Sequence, residues 1–273
     1  MPLPAALRRR YGGDLDFPAR PVPYVFANFV SSVDGVVSYG VPGRSGGGTL
    51  SGGDAADRFL MALLRAAADA VIVGATTLRE AGARALWSPG FTCPEAAADL
   101  ARWRRARRVP PSPLLVVLTT SGRLNPRSAV FTTPGSRVLV ISSKAGAAAL
   151  APGLRGASAE VEVRPWRSPA GRVPVPAMLR LLRREYKIQR LLHEGGPALL
   201  GEFLAAGAIQ QLFLTLAPRL AGRSRAAPRP GLVEGVAFAA AASPQLRLVS
   251  LKAHGAMLFT RYRVTDRDCR SGG

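Results

Sequence analysis

The sequence contains few of the residues on which several kinds of protein depend. Two cysteines and two histidines occur among its 273 residues. Cys93 and Cys269 lie far apart, so neither a disulfide framework nor a zinc-binding spacing is present, which favours a reducing, cytoplasmic location. No apolar run approaches the ~20 residues of a membrane span, and the N-terminal residues contain no signal-peptide core. These absences favour a protein without a structural metal and without a membrane anchor.

Lysine is also scarce, although the chain is strongly basic. The three lysines are Lys144, Lys187 and Lys252, so arginine provides nearly all of the positive charge behind a formal net charge of +20. Such a charge suits nucleic acids or phosphorylated ligands, but an arginine-, alanine- and glycine-rich composition is also typical of a GC-rich genome. The run RWRRARR at 102–108 offers one aromatic ring for base stacking. We therefore interpret this run as a solvated face and do not favour nucleic-acid binding.

Hydrophobic residues make up 48% of the chain, and they occur in two alternating patterns. Short β-rich runs alternate with helical patterns, which predicts an α/β fold whose mainly parallel sheet is covered by helices on both faces. Residues 246–253 and 257–264 flank His254-Gly255 and predict an antiparallel hairpin. The predicted strands are 24–30, 70–73, 114–118, 138–141 and 209–216, and the predicted helices are 54–68, 95–108 and 175–186.

The chain shows no internal repeat and no clear linker. Residues 21–266 are therefore predicted to form one domain, preceded by an irregular arm at 1–20 and followed by a disordered tail at 267–273. The glycine-rich stretch GRSGGGTLSGG at 43–53 predicts a mobile loop.

The most specific motif lies in the segment 190–222, RLLHEGGPALLGEFLAAGAIQQLFLTLAPRLAG. An apolar strand leads into Gly195-Gly196, and Pro197 then occupies the first helical position, which proline favours. The segment therefore predicts a strand, a Gly-Gly turn, a helix and a second strand. The first backbone N–H groups of such a helix have no helical acceptor. Phosphate groups bind to such helix starts.

Three segments together resemble a known enzyme family. They are ANFVSSVDG at 27–35, LLRAAADAVIVGATTLREAG at 63–82 and HEGGPALLGEFL…LTLAP at 193–218, with a weaker match at LTTSGRL, 118–124. In this order, over about 22–264, they resemble the reductase family related to the C-terminal half of the bifunctional riboflavin-biosynthesis deaminase-reductase. The stand-alone pyrimidine reductases of actinobacterial type look most similar.

The resemblance implies a dihydrofolate-reductase-like three-layer α/β fold with a central, mostly parallel sheet. It also implies NADPH as the cofactor and a homodimer as the assembly. The deaminase half of the bifunctional enzyme holds zinc through H-x-E and P-C-x-x-C motifs. Neither motif occurs in this chain, so we expect no deaminase activity and no metal.

The resemblance assigns the cofactor to glycine turns and strand ends. Gly195 and Gly196 would hold the diphosphate through backbone N–H groups, because a Cβ would keep the phosphate away. Thr77 heads a helix after Gly74, and Arg79 would meet the 2′-phosphate of NADPH. The alternatives are a tight turn, a helix cap and a solvated arginine. Thr120 and Ser121, near the adenosine ribose, and Pro197 and Leu199, beside the diphosphate, complete the predicted cofactor-binding set.

Four further residues are predicted around the substrate. Asp34, in the turn SSVDG, is the candidate catalytic residue; it would position the substrate or shape the loop. Arg65 matches a substrate-binding arginine of the family, although a basic residue is also favoured at a helix C-terminus. Glu194 matches a substrate-binding carboxylate, and Asp57 is a weaker candidate for the N–H groups of a heterocycle. His193 is not a family signature, and we interpret it as a bystander.

Two departures from the family pattern matter. Gln210-Gln211 stand where the family usually has Asp-Glu, which affects a dimer contact or a strand end. Ala81 stands where the family commonly has an acid, with Glu80 one place short. The second departure weakens the inference of one cofactor contact and leaves the identity of the substrate undecided.

Together these features predict an NADPH-dependent reductase of a small heterocycle. The favoured substrate is a ribosylaminopyrimidine of riboflavin biosynthesis, 5-amino-6-ribosylaminouracil or its phosphate, which would be reduced to the ribitylamino compound. One alternative is a dihydrofolate- or pterin-type reductase, or a reductase of specialised metabolism. A further alternative, from another class, is a non-catalytic nucleic-acid-binding protein on a relic reductase fold.

Overall fold

The computed structural model describes residues 2–41, 46–166 and 173–265. The chain divides into two compact units, Met1–Tyr24 with Ala55–Leu192, and Val25–Asp54 with His193–Gly273. One domain over 21–266 stays a prediction, and the predicted tail at 267–273 lies outside the described residues.

The described residues contain nine strands and ten α-helices. The strands are β1 (Tyr24–Ser32), β2 (Ala70–Gly74), β3 (Leu114–Thr119), β4 (Arg137–Ser143), β5 (Glu160–Trp166), β6 (Arg190–His193), β7 (Gln211–Ala217), β8 (Gln245–His254) and β9 (Met257–Thr265). The helices are α1 (Ala5–Tyr11), α2 (Gly47–Ser51), α3 (Ala55–Ala67), α4 (Ala75–Glu80), α5 (Pro89–Thr92), α6 (Ala97–Ala106), α7 (Ala129–Thr132), α8 (Lys144–Leu150), α9 (Val175–Arg184) and α10 (Pro197–Ala205).

Parallel strands form the centre of the first unit, in the order β5-β4-β3-β2-β6. The pairs β2–β3, β3–β4 and β4–β5 are all parallel. Strands β2 and β3 are runs of valine, leucine and isoleucine that are buried along most of their length. Continuous apolar runs of this kind are typical of parallel strands that are covered on both faces.

The second unit contains the strand order β1-β7-β9-β8. Strands β1 and β7 are parallel, with Phe26 opposite Gln211, whereas β7–β9 and β8–β9 are antiparallel. A register shift between Leu248 and Ser250 marks a bulge in β8. The predicted C-terminal hairpin and the predicted fold class, a mostly parallel α/β fold with an antiparallel C-terminal edge, are confirmed.

Two segments that were predicted to be irregular contain helices. Helix α1 lies in the predicted arm, where Leu7 is buried and Gly12 ends the helix at φ 72°. Helix α2 lies in the predicted mobile loop, where Leu50 is fully buried. A Cβ on Gly47 would lie 2.6 Å from Val30 Cγ1, so this glycine allows close packing. Residues 42–45 of that stretch lie outside the described residues.

The interpretation of RWRRARR as a solvated face is wrong for its inner half. Arg104 is 1% exposed and donates from Nε to Pro110 O and from Nη1 to Arg65 O, Ala66 O and Ala68 O. Arg107 Nη1 donates to Ala66 O as well, at 2.7 Å. The carbonyls of Arg65, Ala66 and Ala68 lie at the C-terminal end of α3, where carbonyls lack helical partners. Arg104 of α6 and Arg107, which directly follows α6, thus cap the C-terminus of α3 inside the first unit.

No helix among the described ranges is long and apolar enough to cross a lipid bilayer.

Candidate active site

The candidate cofactor residues of the first unit gather at one edge of its parallel strands. Gly74 ends β2 and begins α4. Thr120 and Ser121 directly follow β3. Because Gly74 pairs with Leu118 in parallel register, the carboxyl ends of β2 and β3 meet at this edge. Ligands of open α/β sheets commonly bind outside the carboxyl ends of strands.

Gly74 leaves open space beside its backbone. A Cβ built on this residue has no atom within 4 Å. Its φ of −86° lies in a region that any residue adopts. Neither packing nor backbone conformation requires a glycine here. A ligand that closely approaches the main chain would require one.

Arg79 and Thr77 lie on α4, beside this opening. Arg79 is exposed, but its guanidinium is held by Thr76 Oγ1 at 2.9 Å and by the carbonyl oxygen of Arg123 at 3.3 Å. The second bond ties α4 to the segment after β3. Thr77 is half-buried, and its carbonyl accepts the N–H of Ala81 at the end of the helix.

The loop after β3 is held in place by α8. Ser143 Oγ donates to Thr120 O at 2.7 Å, and Gly146 N donates to the same hydroxyl at 3.0 Å. A Cβ on Gly146 would lie 2.3 Å from Thr120 O, and a Cβ on Gly122 would lie 2.0 Å from Gly146 O. The two glycines therefore allow backbone-to-backbone contact. This contact fixes the loop that carries Thr120 and Ser121.

The Gly-Gly turn of the second unit leads into α10 as the sequence predicted. Gly196 is the N-cap in an extended conformation, Pro197 opens the helix, and the cap accepts no side-chain hydrogen bond. A Cβ on Gly195 would lie 2.5 Å from Leu199 Cδ2 and 3.2 Å from His193 Cε1. Leu199 thus packs over the turn, and Gly195 allows this close contact. The first N–H groups of α10 have no helical acceptor, as at every helix start.

Asp34 ties the end of β1 to the loop after β7. Its carboxylate accepts hydrogen bonds from Ser32 Oγ at 2.6 Å, Ala221 N at 3.0 Å and Gly222 N at 2.8 Å. The two backbone donors and the hydroxyl hold the pKa of Asp34 well below its usual range. A carboxylate of this kind is a poor proton donor. Of the two roles predicted for Asp34, this geometry supports loop shaping.

The candidate substrate residues divide between the units. Arg65 and Asp57 lie on α3 in the first unit, and Glu194 lies beside the Gly-Gly turn in the second. Arg65 is 8% exposed, donates to Thr92 Oγ1 at 2.7 Å and stacks on Trp87 at 5.5 Å. Part of its guanidinium is therefore engaged within the unit.

His193 is fully buried between two aromatic rings of the second unit. It stacks on Phe29 at 6.0 Å and meets Phe203 edge-on at 4.8 Å. Neither ring nitrogen makes a hydrogen bond of normal length within the described chain. Burial lowers the pKa of His193 to about 4. The imidazole is a neutral core ring that packs against the glycine turn. The sequence analysis interpreted His193 as a bystander and did not predict this packing role.

The Gln210-Gln211 departure is accounted for by strand-end contacts. Gln210 Oε1 accepts the N–H of Val25 at 2.7 Å, and Gln211 Oε1 accepts Arg261 Nε at 2.8 Å. Both bonds join neighbouring strands of the second unit. Of the two roles considered for this pair, the strand-end contact is present.

The site also contains residues that sequence reasoning did not find. Gly122, Ser143 and Gly146 hold the loop after β3, yet no pattern in the sequence pairs a loop glycine with a helical one. The Ser-x-x-Gly start of α8 was a detectable capping signal, since Ser143 caps the helix through Gly146 N.

Solved structures share this fold. A pyrimidine reductase-like protein from Corynebacterium diphtheriae aligns with a TM-score of 0.68 and 23% identity, over 89% of this chain and 92% of that chain. RibD from Acinetobacter baumannii aligns with a TM-score of 0.66 and 21% identity, over 90% of this chain and 59% of that chain. The riboflavin biosynthesis reductase Rib7 of Saccharomyces cerevisiae aligns with a TM-score of 0.57 and 14% identity, over 95% and 98% of the two chains.

Family membership rests on a separate comparison. No curated protein matches the sequence. The family model of the RibD C-terminal domain matches residues 23–259, which is most of the chain and includes all the candidate site residues. The chain belongs to the RibD C-terminal domain family.

Proposed function

We propose that the chain is an NADPH-dependent reductase of a small heterocycle, most specifically of a ribosylaminopyrimidine in riboflavin biosynthesis. The family match supports an oxidoreductase of this type. The observation that carries the cofactor assignment is the open glycine at the end of β2. Gly74 has neither a packing nor a conformational reason to be glycine, and it lies at the strand edge that Thr120 and Ser121 share.

The residues present suit a dinucleotide. The N–H groups at the start of α10, after Gly195-Gly196, lack helical acceptors and suit the diphosphate. Thr120 and Ser121 suit the adenosine ribose. Arg79 is exposed and suits the 2′-phosphate that distinguishes NADPH from NADH. The nicotinamide supplies the hydride, and the protein supplies binding and orientation.

The substrate is assigned to Arg65, Glu194 and Asp57. A carboxylate suits hydroxyl and N–H donors, and a guanidinium suits a phosphate or carboxylate. Asp34 shapes the adjoining loop as a permanent anion. In this assignment water delivers the proton that follows the hydride. Reduction of a pterin is the nearest alternative, since it would use the same cofactor residues.

The test compares cofactor binding in two glycine variants. Gly74→Ala has open space and an ordinary φ, so we expect a native fold but a dissociation constant for NADPH raised about tenfold or more, about 1.4 kcal/mol. Gly48→Ala is the matched control, because its Cβ also meets no atom within 4 Å. Isothermal titration measures both. Unchanged NADPH affinity in Gly74→Ala would refute this cofactor site.

Two further measurements separate the alternatives. Equal affinities for NADPH and NADH would refute the role of Arg79. NADPH oxidation across a panel of pyrimidine and pterin substrates identifies the substrate. Steeply salt-dependent binding to random DNA, without NADPH binding, would favour the nucleic-acid alternative.

We also propose a homodimer, formed through the edge strand β8. This strand is last in the order β1-β7-β9-β8, and Leu248 and Leu251 are 50% and 57% exposed on it. Exposed apolar edge strands invite pairing with another chain. Light scattering of the wild type should give twice the chain mass of 28.7 kDa. The double variant Leu248→Lys, Leu251→Lys should give the mass of one chain. Gln245→Lys, on the same exposed strand, should leave the dimer intact. A monomeric wild-type chain would refute this proposal.

A further inference from the structure

A cavity lies at the edge of the first unit's strands opposite the candidate cofactor residues. It has a volume of about 450 Å³ and is lined by the residues where β2, β4 and β6 begin, including Asp69, Arg137 and Arg190. The candidate cofactor residues of this unit follow the carboxyl ends of the strands. Parallel strands place these two ends at opposite edges. The cavity is therefore separate from the proposed cofactor site.

Cationic side chains dominate the lining. Arg107, Arg137, Lys187 and Arg190 line the cavity together with a single carboxylate, that of Asp69. Arg107 is placed here by its bonds to Ala66 O and Asp69, but Arg137, Lys187 and Arg190 add three further positive charges that repel one another and Arg107. A bound anion would remove that repulsion.

The carboxylate of Asp69 is already engaged by the protein itself. Its Oδ2 accepts the N–H groups of Gln189 at 3.0 Å and Arg190 at 2.9 Å, and its Oδ1 accepts Arg107 Nη2 at 3.3 Å. Asp69 thus holds the turn before β6 in place. Asp69 Oδ1 lies 3.3 Å from Arg107 Nη2 and 3.9 Å from Arg190 Nη1. Arg137 forms a distant pair with Glu160, whose Oε2 lies 3.7 Å from Arg137 Nε.

Lys187 occupies a backbone conformation that disfavours it. Its φ is 58°, in the left-handed region where glycine or asparagine is favoured. Lys187 lines the cavity, and its ammonium group donates to the carbonyl oxygen of Arg184, the last residue of α9, at 2.7 Å. Ile188 N donates to Leu182 O, so this left-handed residue ends α9, as left-handed residues commonly do.

We propose that this cavity binds a phosphorylated small molecule. Its volume falls within the range of small-molecule sites. Planar guanidinium groups bind phosphate oxygens in pairs, and an ammonium group adds a point charge. The apolar wall of Val109, Pro110 and Ile188 suits the uncharged part of the molecule. Tyr186 also lines the cavity, with its hydroxyl oxygen buried.

The test uses AMP and inorganic phosphate as probes, measured by isothermal titration at constant ionic strength. The wild-type chain should bind at least one of them. Lys187→Gly removes the ammonium group and places glycine in a conformation that suits it, so the fold is preserved. We expect this variant and Arg137→Gln each to weaken binding about tenfold or more.

Arg108→Gly is the matched control. Arg108 is also left-handed, at φ 54°, and loses one positive charge in the same way, but it does not line the cavity. It should bind the probes as the wild type does. Absence of binding of both probes to the wild-type chain would overturn the proposal. Equal loss of affinity in Arg108→Gly and Lys187→Gly would also overturn it, because overall charge would then explain the binding.

Discussion

Replacing Arg104 with methionine tests whether a buried arginine holds α3 to α6. The side chain is 1% exposed and makes four hydrogen bonds, to the carbonyls of Arg65, Ala66, Ala68 and Pro110. Methionine retains the apolar stem and removes all of its donors. Arg107 also reaches Ala66 O, so that carbonyl keeps a partner. The other three lose theirs.

The expected loss follows from the cost of unpaired buried groups. An unsatisfied buried acceptor costs about 1–3 kcal/mol. Against this, the variant no longer buries a charge; burial is the main reason that the pKa of Arg104 is lowered to about 10. Removing one partner of a buried charged interaction typically costs about 3–5 kcal/mol. We expect a loss in that range, which is a large part of a typical stability of about 5–15 kcal/mol.

Urea denaturation at neutral pH measures this loss. Arg104→Lys retains the charge but not the planar guanidinium group. Its free energy of unfolding should lie between those of the wild type and Arg104→Met. Arg105→Met is the matched control, since its side chain is exposed on the same helix, and it should change stability by less than about 0.5 kcal/mol. If Arg104→Met lies within about 1 kcal/mol of the wild type, the capping role is refuted.

Three other predictions concern the candidate site. The pKa of His193 is about 4 in the folded state and about 6.5 in the unfolded state, so the unfolded state binds the proton first as the pH falls. The free energy of unfolding should therefore be highest above pH 6.5 and lower by about 2 kcal/mol at pH 5. His193→Leu should remove this pH dependence, as measured by urea denaturation above pH 6.5 and at pH 5. An unchanged pH dependence in this variant would show that another group causes it. Gly146→Ala forces a Cβ to 2.3 Å from Thr120 O and should lower both the melting temperature and the affinity for NADPH, whereas Gly48→Ala should lower neither. Glu194→Gln should raise KM or lower kcat/KM, because about 1–3 kcal/mol of interaction with the substrate is lost, and it should leave the NADPH dissociation constant nearly unchanged. Weaker NADPH binding with unchanged substrate kinetics would contradict the assignment of Glu194 to the substrate.

Sequence patterns predicted the strands that are buried along most of their length and the hairpin that a glycine turn marks. Strands β2 and β3 are continuous apolar runs, and the hairpin of β8 and β9 turns at a glycine with φ 56°. Strand β5 was missed because it is the edge strand of its unit, and its charged residues alternate with half-buried ones. Helix α2 was missed because its glycines indicate mobility unless their packing is known. Local composition does not contain that packing.

The candidate site was predictable to a similar extent and for a similar reason. The Gly195-Gly196-Pro197 turn into α10 has a local signature, and the structure forms it. The contact of Gly122 with Gly146 depends on the pairing of β3 with β4, which no short motif records. Asp34 was found as a turn residue, but its partners, Ala221 and Gly222, lie far along the chain.

The buried arginines show how a sequence pattern can be correct in position and wrong in interpretation. Leu100, Trp103, Arg104 and Arg107 follow the i, i+3, i+4, i+7 spacing of one helix face. All four side chains are buried in the structure. The spacing therefore placed the two arginines on the inner face of α6, and only their charge argued for solvent. An arginine at a core position requires acceptors, and the carbonyls at the end of a neighbouring helix provide them. The outer face of RWRRARR is then left with fewer cations than its composition suggests, which weakens the case for nucleic-acid binding by this run.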